Sequence, residues 1–168
     1  MPTQNLILHL LNNPKYEKDI LNELDEKIVQ PYLKNRKAGD KIPCRYGNKE
    51  NIFEMYTHDN LKELDFYQNC FNEALRIQPP VYYSSTVRMT EDVVAGGLHI
   101  RRGDQMWIGM SHLCNNPQEW QQPSQFIPER FDNSNSISLT PSGKKRNPYS
   151  FSPFLGGVRI CLGKTFVE

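Results

Sequence analysis

Near its C-terminus the chain reads Phe154-Leu155-Gly156-Gly157-Val158-Arg159-Ile160-Cys161-Leu162-Gly163. Gly156 and Gly157 allow positive φ angles, so they predict a tight turn. Cys161 lies just before residues 162–168, which can start a helix, and the N-terminal end of a helix lowers the pKa of a thiol. Arg159 adds a positive charge two residues before the cysteine. The stretch therefore predicts a loop that presents a thiolate beside a cation.

A thiolate in such a loop is compatible with four interpretations. A catalytic nucleophile needs a base, and no His or Asn stands near Cys161 in the sequence. A zinc site needs further Cys or His ligands at short spacing, and none is close to Cys161. A single axial ligand to haem iron would let Arg159 pair with a haem propionate and Phe154 cover the sulfur. The fourth interpretation is a buried structural cysteine.

The complete pattern is Phe-x-x-Gly-x-Arg-x-Cys-x-Gly, carried by Phe154, Gly157, Arg159, Cys161 and Gly163. It resembles the haem-binding loop of the cytochrome P450 family. The resemblance implies haem b as the cofactor, Cys161 as the axial ligand of the iron and Arg159 as the partner of a propionate. It also implies that Gly157 and Gly163 shape the loop and that Phe154 covers the sulfur. The acid–alcohol pair that relays protons in the family is expected before Met1, so no further catalytic residue is assigned.

Two weaker motifs precede the loop in the order that the family shows. Glu73-Ala74-Leu75-Arg76 places a carboxylate and a guanidinium three residues apart, on one face of a predicted helix. Such a pair alone is weak support, because an exposed pair contributes only ~0–1 kcal/mol. Pro128-Glu129-Arg130-Phe131 is the second motif. The resemblance implies that Glu73, Arg76 and Arg130 form a buried network with a structural role, which holds the cysteine loop in place.

Composition limits the class of protein. The chain has 168 residues, a formal net charge of +1 and 38% hydrophobic residues, which predicts one domain with a real core. The near-neutral charge argues against a nucleic acid partner, and no apolar run approaches the roughly 18 residues of a membrane span. Four cysteines without CxxC spacing favour free thiols in a reducing, intracellular compartment. The resemblance adds that full-length members often carry an N-terminal anchoring helix, which we do not expect within this sequence.

We predict a mainly α fold with small β-hairpins, an α+β arrangement that corresponds to the C-terminal part of the cytochrome P450 fold, truncated at both ends. The single partial domain, 1–168, divides into helices at 1–30, a loop at 31–58, the Glu-x-x-Arg helix at 59–78, a small β-sheet region at 81–110, an irregular meander at 111–150, and the haem-binding loop with the start of the last helix at 151–168.

Residue types at the predicted helix ends support these boundaries. Asn13 and Pro14 are typical of an N-cap followed by the first helical position. Asp59 or Asn60 is expected to cap the Glu-x-x-Arg helix, and two consecutive prolines at 79–80 are expected to end it. Apolar residues that alternate around glycine-containing turns at 96–97 and 102–104 predict short hairpins.

The resemblance implies a haem-thiolate monooxygenase that inserts one oxygen atom of O2 into an organic, lipophilic substrate, with electrons from a reductase. The basic triplet Lys144-Lys145-Arg146 is then either a solvated turn or a contact for an acidic redox partner. The alternative is a non-catalytic fragment that lacks the proton relay and most of the substrate pocket. A helical interaction module unrelated to haem is a third hypothesis. Cys44 and His58 are a further Cys–His pair, but their spacing fits no known metal-binding pattern. His112 and Cys114 could mimic a metal pair, an interpretation that we do not favour.

Overall fold

The computed structural model describes residues 2–35 and 55–167. The helices in these ranges are α1 (Pro2–Asn12), α2 (Pro14–Leu24), α3 (Gln30–Lys34), α4 (His58–Leu61), α5 (Asp65–Ile77), α6 (Met110–Cys114) and α7 (Lys164–Val167). The strands are β1 (Val87–Arg88), β2 (Val93–Ala95), β3 (Leu98–Ile100) and β4 (Gln105–Met106). The predicted mixed α+β character is confirmed. In the described part of the chain, no helix is both long and apolar enough to cross a membrane.

Two apolar clusters form the core. The first joins α1 to α5 and consists of Leu6, Cys70, Phe71, Ala74 and Leu75. The second lies where α2 continues towards α3 and consists of Ile28, Met55 and Leu64. Burial of the large side chains Leu6, Phe71 and Leu75 contributes about 1.5–3 kcal/mol each, so the first cluster fixes α5 against α1. The Glu-x-x-Arg motif lies on α5, and the first cluster therefore determines where the motif sits.

The first predicted helix boundary is confirmed in position but not in mechanism. Pro14 begins α2 and Asn13 precedes it, as expected. The Asn13 side chain does not cap α2; its Nδ2 donates instead to the carbonyl of His9, at 2.8 Å. Asn13 thus closes the end of α1 rather than the start of α2.

The segment predicted as a loop at 31–58 contains helical residues at both ends. A π-helical turn, Asp25–Val29, continues α2 into α3, which keeps the chain helical to Lys34. Pro31 stands in this continuous helix two residues after the π-helical turn, where the regular i to i−4 bonding is already interrupted. Residues 36–54 of the predicted loop, Cys44 among them, lie outside the described residues.

The helix predicted at 59–78 is two helices, α4 and α5, separated by residues 62–64. Thr57 caps α4, so the expected cap at Asp59 or Asn60 was wrong. Asn60 completes a capping box, because its Oδ1 accepts from the N–H of Thr57 at 2.9 Å. Residue-type rules place the cap two or three residues late here, because Thr57 also satisfies them.

The region predicted as β-sheet at 81–110 forms two antiparallel pairs, as expected. β2 and β3 form a hairpin with Val93 opposite Ile100, and β1 pairs with β4 outside that hairpin. Gly96 and Gly97 have φ angles of +59° and +80° at the turn. Two consecutive positive φ angles match the turns that two-residue hairpins prefer, which explains the glycine pair.

The segment predicted as an irregular meander at 111–150 begins with a helix, because α6 runs to Cys114. The remainder is irregular, with 3-10 turns at Pro128–Phe131, Ser136–Ser138 and Pro148–Ser150. Trp120 anchors this irregular part: it is 1% exposed, and its Nε1 donates to the carbonyl of Leu113 at 3.1 Å. We use the name meander for residues 115–150 below.

Candidate functional site

The cysteine loop, residues 154–163, is a tight turn closed by its own backbone. The N–H of Cys161 donates to the carbonyl of Phe154 at 2.9 Å, and the carbonyl of Cys161 accepts from the N–H of Lys164 at the start of α7. Gly157 has a φ of +66°, and Leu155 adopts a φ of +61° although it is not glycine. The closing bond and the left-handed residues fix the direction in which the loop presents Cys161.

The cysteine of this loop is accessible. Cys161 is exposed, whereas Cys70 and Cys114 are buried. Burial raises the pKa of the Cys70 thiol to about 12 and also raises the pKa of Cys114. Neither buried thiol therefore offers a thiolate near neutral pH. Within residues 2–35 and 55–167, Cys161 is the cysteine that an external ligand can reach.

The surroundings of Cys161 are apolar and uncovered. Val158 and Leu162 are fully exposed, at 101% and 100%, and Ile160 is 44% exposed. A Cβ built on Gly163 would come within 3.7 Å of the Cys161 sulfur, so glycine leaves that side of the sulfur open. The loop thus offers a soft donor atom beside aliphatic side chains that lack a cover in the structure.

Of the motif residues Phe154 and Arg159, the structure describes the side chain of Phe154 alone. The ring of Phe154 packs against the first core cluster, which attaches the loop to α1 and α5. The side chain of Arg159 lies outside the described residues, so its pairing with a propionate stays a prediction. The cover of the sulfur by Phe154 also stays a prediction.

A haem fits this donor set. A porphyrin brings four nitrogen ligands of its own, so the protein needs to supply a single axial atom, and thiolate is one of the known choices. The flat apolar macrocycle also matches the exposed aliphatic side chains around Cys161. A protein-only metal site has less support, because the described residues hold no group of three or more His, Cys, Asp or Glu able to bind an ion. His112 and Cys114 therefore belong to no such group.

Glu73 is the centre of a buried ionic network. Its Oε2 accepts from Arg76 Nε at 2.7 Å, and its Oε1 accepts from Arg76 Nη2 at 2.9 Å and from Arg130 Nε at 3.0 Å. Oε1 also accepts from the backbone N–H of Ile127 at 2.9 Å. The side chains of Glu73, Arg76 and Arg130 are 0% exposed. The structure therefore brings together the three residues that the sequence motifs name.

Backbone carbonyls accept further hydrogen bonds from the guanidinium groups of Arg76 and Arg130. Arg76 donates to the carbonyls of Cys114, Pro123 and Gln125, at 3.0, 2.8 and 3.2 Å. Arg130 donates to the carbonyls of Gln121 and Gln122, the latter at 2.7 Å. The irregular course of the meander is what lets so many carbonyls converge.

This network carries two guanidinium groups for one buried carboxylate. Burial lowers the pKa of Arg130, and the charge of Glu73 acts in the opposite direction. Burying an unbalanced charge is costly unless dipoles replace the lost water, and the converging carbonyls supply those dipoles. The network thus ties α5 to the meander through both charge and backbone.

The Pro-Glu-Arg-Phe turn is also tied to α2. The hydroxyl of Tyr16 donates to Glu129 Oε2 at 3.2 Å. Burial and the neighbouring Glu129 carboxylate raise the pKa of Tyr16 to about 12, so the hydroxyl remains a donor across the neutral range. The turn that carries Arg130 is therefore held from two helices.

Sequence reasoning missed Glu23, which caps α5 from another helix. Its Oε1 accepts from the N–H of Phe66 at 2.9 Å, and its Oε2 accepts from the N–H of Tyr67 at 3.0 Å. The cap lies more than 40 residues away in sequence, so local pattern rules carry no signal for it. Glu23 thereby aligns the helix that presents Glu73.

Sequence reasoning also missed the surroundings of His9. Its ring stacks on Phe126, with centroids 4.5 Å apart and an interplanar angle of 6°. His9 Nε2 is a buried atom without a hydrogen-bond partner in the part of the chain that the structure describes. Burial lowers the pKa of His9, while Glu73 opposes and Arg76 reinforces that shift.

A further missed feature is a cation–π cluster. The guanidinium carbon of Arg76 lies 5.1 Å from the centre of the Trp120 ring, and that of Arg146 lies 4.3 Å from it. Arg146 was predicted together with Lys144 and Lys145 as part of a basic surface. The two lysines are exposed, but Arg146 is half-buried.

Comparison with known proteins decides the family. A family model described as cytochrome P450 matches residues 1–168. The chain belongs to the cytochrome P450 family. It is 38% identical to cytochrome P450 4F5 of Rattus norvegicus over 109 residues, and this matched stretch covers 64% of this chain and 19% of that protein. The resemblance stated from the Cys161 loop is therefore confirmed.

Longer matches extend over almost the whole P450 chain. It is 29% identical over 165 residues to cytochrome P450 3A11 of Mus musculus, covering 98% of this chain and 27% of that protein. It is 30% identical over 161 residues to cytochrome P450 4F11 of Homo sapiens, covering 96% of this chain and 26% of that protein. The chain thus spans about a quarter, or less, of the length of these curated relatives. At the level of the family, the chemistry is that of haem-thiolate monooxygenases.

Proposed function

We propose that this P450 chain binds haem b through the thiolate of Cys161 and forms the haem-binding part of a monooxygenase. The observation that carries the proposal is the exposed sulfur of Cys161 in a loop closed by its own backbone, beside the fully exposed Val158 and Leu162. When bound, the haem supplies the oxygen chemistry, in which one atom of O2 enters an organic, lipophilic substrate.

Residues of the loop would hold the cofactor. The Cys161 thiolate ligates the iron and donates electron density to it. Arg159 pairs with a propionate, and Gly157 and Gly163 give the loop its shape, with Gly163 leaving the sulfur open to the ligand. Phe154 anchors the loop on the first core cluster. Each role keeps the sulfur at a fixed place and direction.

Glu73, Arg76 and Arg130 would act through the backbone rather than on substrate. Their support lies in the carbonyl contacts of the meander, which leads directly into the cysteine loop. The network resists a shift of the meander relative to α5, because any shift would leave buried guanidinium donors unpaired. In this role the three residues are structural, as the sequence motifs imply.

An electron-donating reductase is the proposed partner. Lys144 and Lys145 are both exposed and offer positive charge to an acidic partner surface. Arg146 does not join this surface, because its guanidinium lies over Trp120. The proposed contact is therefore narrower than the basic triplet indicates.

The test is the optical spectrum of the purified chain, reconstituted with haem, reduced and exposed to carbon monoxide. We expect a Soret band strongly shifted to the red, as thiolate ligation produces. Cys161→Ser should lose that band, whereas Cys44→Ser, a change outside the loop, should keep it. A wild-type spectrum typical of free or imidazole-ligated haem would overturn the proposal.

A second candidate is a chain that carries the P450 motifs without turnover of its own. A surface of large apolar side chains on the β side favours it: Tyr82, Tyr83 and Trp107 are 54%, 55% and 58% exposed. Large exposed apolar side chains mark either a contact surface for another partner or a liability to aggregate, and an isolated chain would leave them uncovered. A thiolate spectrum without substrate-dependent oxygen consumption, in the presence of a reductase, would identify this case.

A further inference from the structure

We propose that Arg146 is a positioning residue for the cysteine loop. Together with Trp120, Arg146 fixes the segment 147–154, called here the approach segment, on the Glu73 network. The effect on the order of the approach segment stands on the contacts alone. The effect on iron ligation rests in addition on the proposed function of Cys161.

Arg146 makes directed contacts with two separate parts of the meander. Its Nη1 donates to the carbonyl of Ile137 at 3.2 Å, and its Nη2 donates to the carbonyl of Arg130 at 2.5 Å. The second acceptor belongs to the residue whose side chain binds Glu73. Arg146 thus binds the backbone of a residue that belongs to the buried ionic network.

The ring of Trp120 is the platform for this contact. Arg146 lies 4.3 Å from the ring centre, well within the range of a cation–π interaction. Trp120 is 1% exposed, so the interaction is largely screened from water, and such desolvated pairs are the stronger ones. Arg76 lies 5.1 Å from the same ring, which links Arg146 to the Glu-x-x-Arg helix through one side chain.

The approach segment begins directly after Arg146 and is anchored along its length. The N–H of Asn147 donates to Glu119 Oε2 at 2.8 Å. Phe151 contacts Phe131 and Trp120, with ring centroids 4.9 and 6.3 Å apart. Phe154 then packs on the first core cluster and accepts from the N–H of Cys161. A displacement at Arg146 therefore passes along the segment to the cysteine.

Arginine suits this position better than lysine. A planar guanidinium can lie flat on an indole ring and still donate in its own plane to two carbonyls. A lysine ammonium keeps the charge over the ring but lacks the fork that reaches Ile137 and Arg130 together. Burial lowers the pKa of Arg146 first, and the nearby Arg130 lowers it further, yet a guanidinium remains charged at neutral pH.

The test compares three variants of the 168-residue chain by hydrogen exchange and mass spectrometry. Arg146→Met removes the charge and the donors, and Arg146→Lys keeps the charge and an N–H donor but removes the planar fork. Lys145→Met is the matched control, because this neighbouring side chain is exposed. The amides to follow lie in the approach segment and at Leu155, and those of α1 and α2 serve as the reference.

We expect Arg146→Met to raise exchange in the approach segment on the order of tenfold, with little change in α1 and α2. Arg146→Lys should give a smaller rise, and Lys145→Met should match the wild type. Equal exchange in Arg146→Met and Lys145→Met would overturn the proposal. A rise spread evenly over all helices would also overturn it, because that result indicates global destabilisation.

The carbon monoxide spectrum separates this inference from the proposed function. If the wild type shows the thiolate band, Arg146→Met should lose most of it and Arg146→Lys should regain a part. An unchanged band in Arg146→Met would contradict the link to the iron ligand. If the wild type lacks the band, the proposed function fails, and hydrogen exchange alone decides the role of Arg146.

Discussion

The Glu73 network and the cysteine loop are opposite in construction. Glu73, Arg76 and Arg130 are 0% exposed and saturated with hydrogen bonds, whereas Cys161 is exposed among apolar side chains that lack a cover. Groups that act on a ligand must be reachable, and groups that hold a frame must exclude water. From this difference in burial we expect the residue proposed to carry the chemistry to contribute little to folding and the Glu73 network to contribute much.

The difference has an electrostatic cause. In the network, charge is stabilised by fixed partners, because four donors meet the carboxylate of Glu73. Removal of one partner leaves the others buried and unpaired, which costs more than the pair itself contributes. In the loop, few side-chain contacts exist to be lost. We therefore expect very unequal responses to substitution.

The largest expected effect comes from Glu73→Gln. The amide keeps the size of the side chain but leaves two buried guanidinium groups without a counter-charge, so the free energy of unfolding should fall by about 3–5 kcal/mol. Urea denaturation followed by circular dichroism measures it. Glu91→Gln, at an exposed hairpin residue, should change it by no more than ~0.5 kcal/mol. A loss below ~1 kcal/mol in Glu73→Gln would mean that the carbonyls alone hold the guanidiniums.

A smaller effect, of opposite sign, is expected in the loop. Leu155 has a φ of +61°, a conformation that costs a residue with a Cβ roughly 1–2 kcal/mol. Leu155→Gly should relieve that strain and, after the greater entropy of unfolded glycine, raise the free energy of unfolding by up to ~1 kcal/mol. Thermal unfolding checks this result. Leu162→Gly, at a fully exposed residue without a positive φ, should give no gain. A clear loss in Leu155→Gly would indicate that its side chain packs more than its backbone strains.

The smallest expected effect is a pH dependence at the edge of the network. Burial lowers the pKa of His9 from its usual 6.5, so the folded state favours the neutral ring. His9 then contributes stability that is fully present above pH 6.5 and is lost as pH falls from 6.5 through the lowered pKa. Denaturation midpoints measured between pH 7.5 and 5 should fall, and His9→Gln should flatten that slope. His99→Gln, at an exposed histidine, should keep the wild-type slope; an identical slope in His9→Gln would exclude His9 as its source.

The sequence was sufficient to place the motifs but not the contacts that connect them. Glu73 and Arg76 are three residues apart on a helix, and that spacing alone puts their side chains together. Arg130 lies 57 residues from Glu73, and no local rule connects residues so far apart in sequence. Its place in the network could therefore be predicted from the family motif alone. The hairpin at residues 93–100 was predictable because a glycine pair readily supplies the two positive φ angles that a two-residue hairpin turn needs.

The missed features depend on where a distant backbone runs. Glu23 caps α5 because α2 happens to pass its first turn, and the rules for N-caps look only at neighbouring residues. Arg146 was interpreted as part of a charged surface triplet, because the sequence does not reveal that the buried ring of Trp120 lies beneath it. The break between α4 and α5 was missed for the same reason, because the side chain that caps the start of α5 is the distant Glu23.

The carbonyl acceptors of the meander have a consequence for mutational tolerance. Arg76 and Arg130 donate hydrogen bonds to main-chain oxygens at positions 121–125. A main-chain oxygen is present whichever amino acid occupies the position. The acceptor role therefore places no demand on the side chains at these positions. Gln121 and Gln122 are constrained for other reasons, because Gln121 Nε2 donates to the carbonyls of Ser136 and Leu139 and Gln122 has a φ of +46°. The contacts of Arg76 and Arg130 behind the cysteine loop thus depend on the path of the backbone more than on the type of amino acid at the acceptor positions.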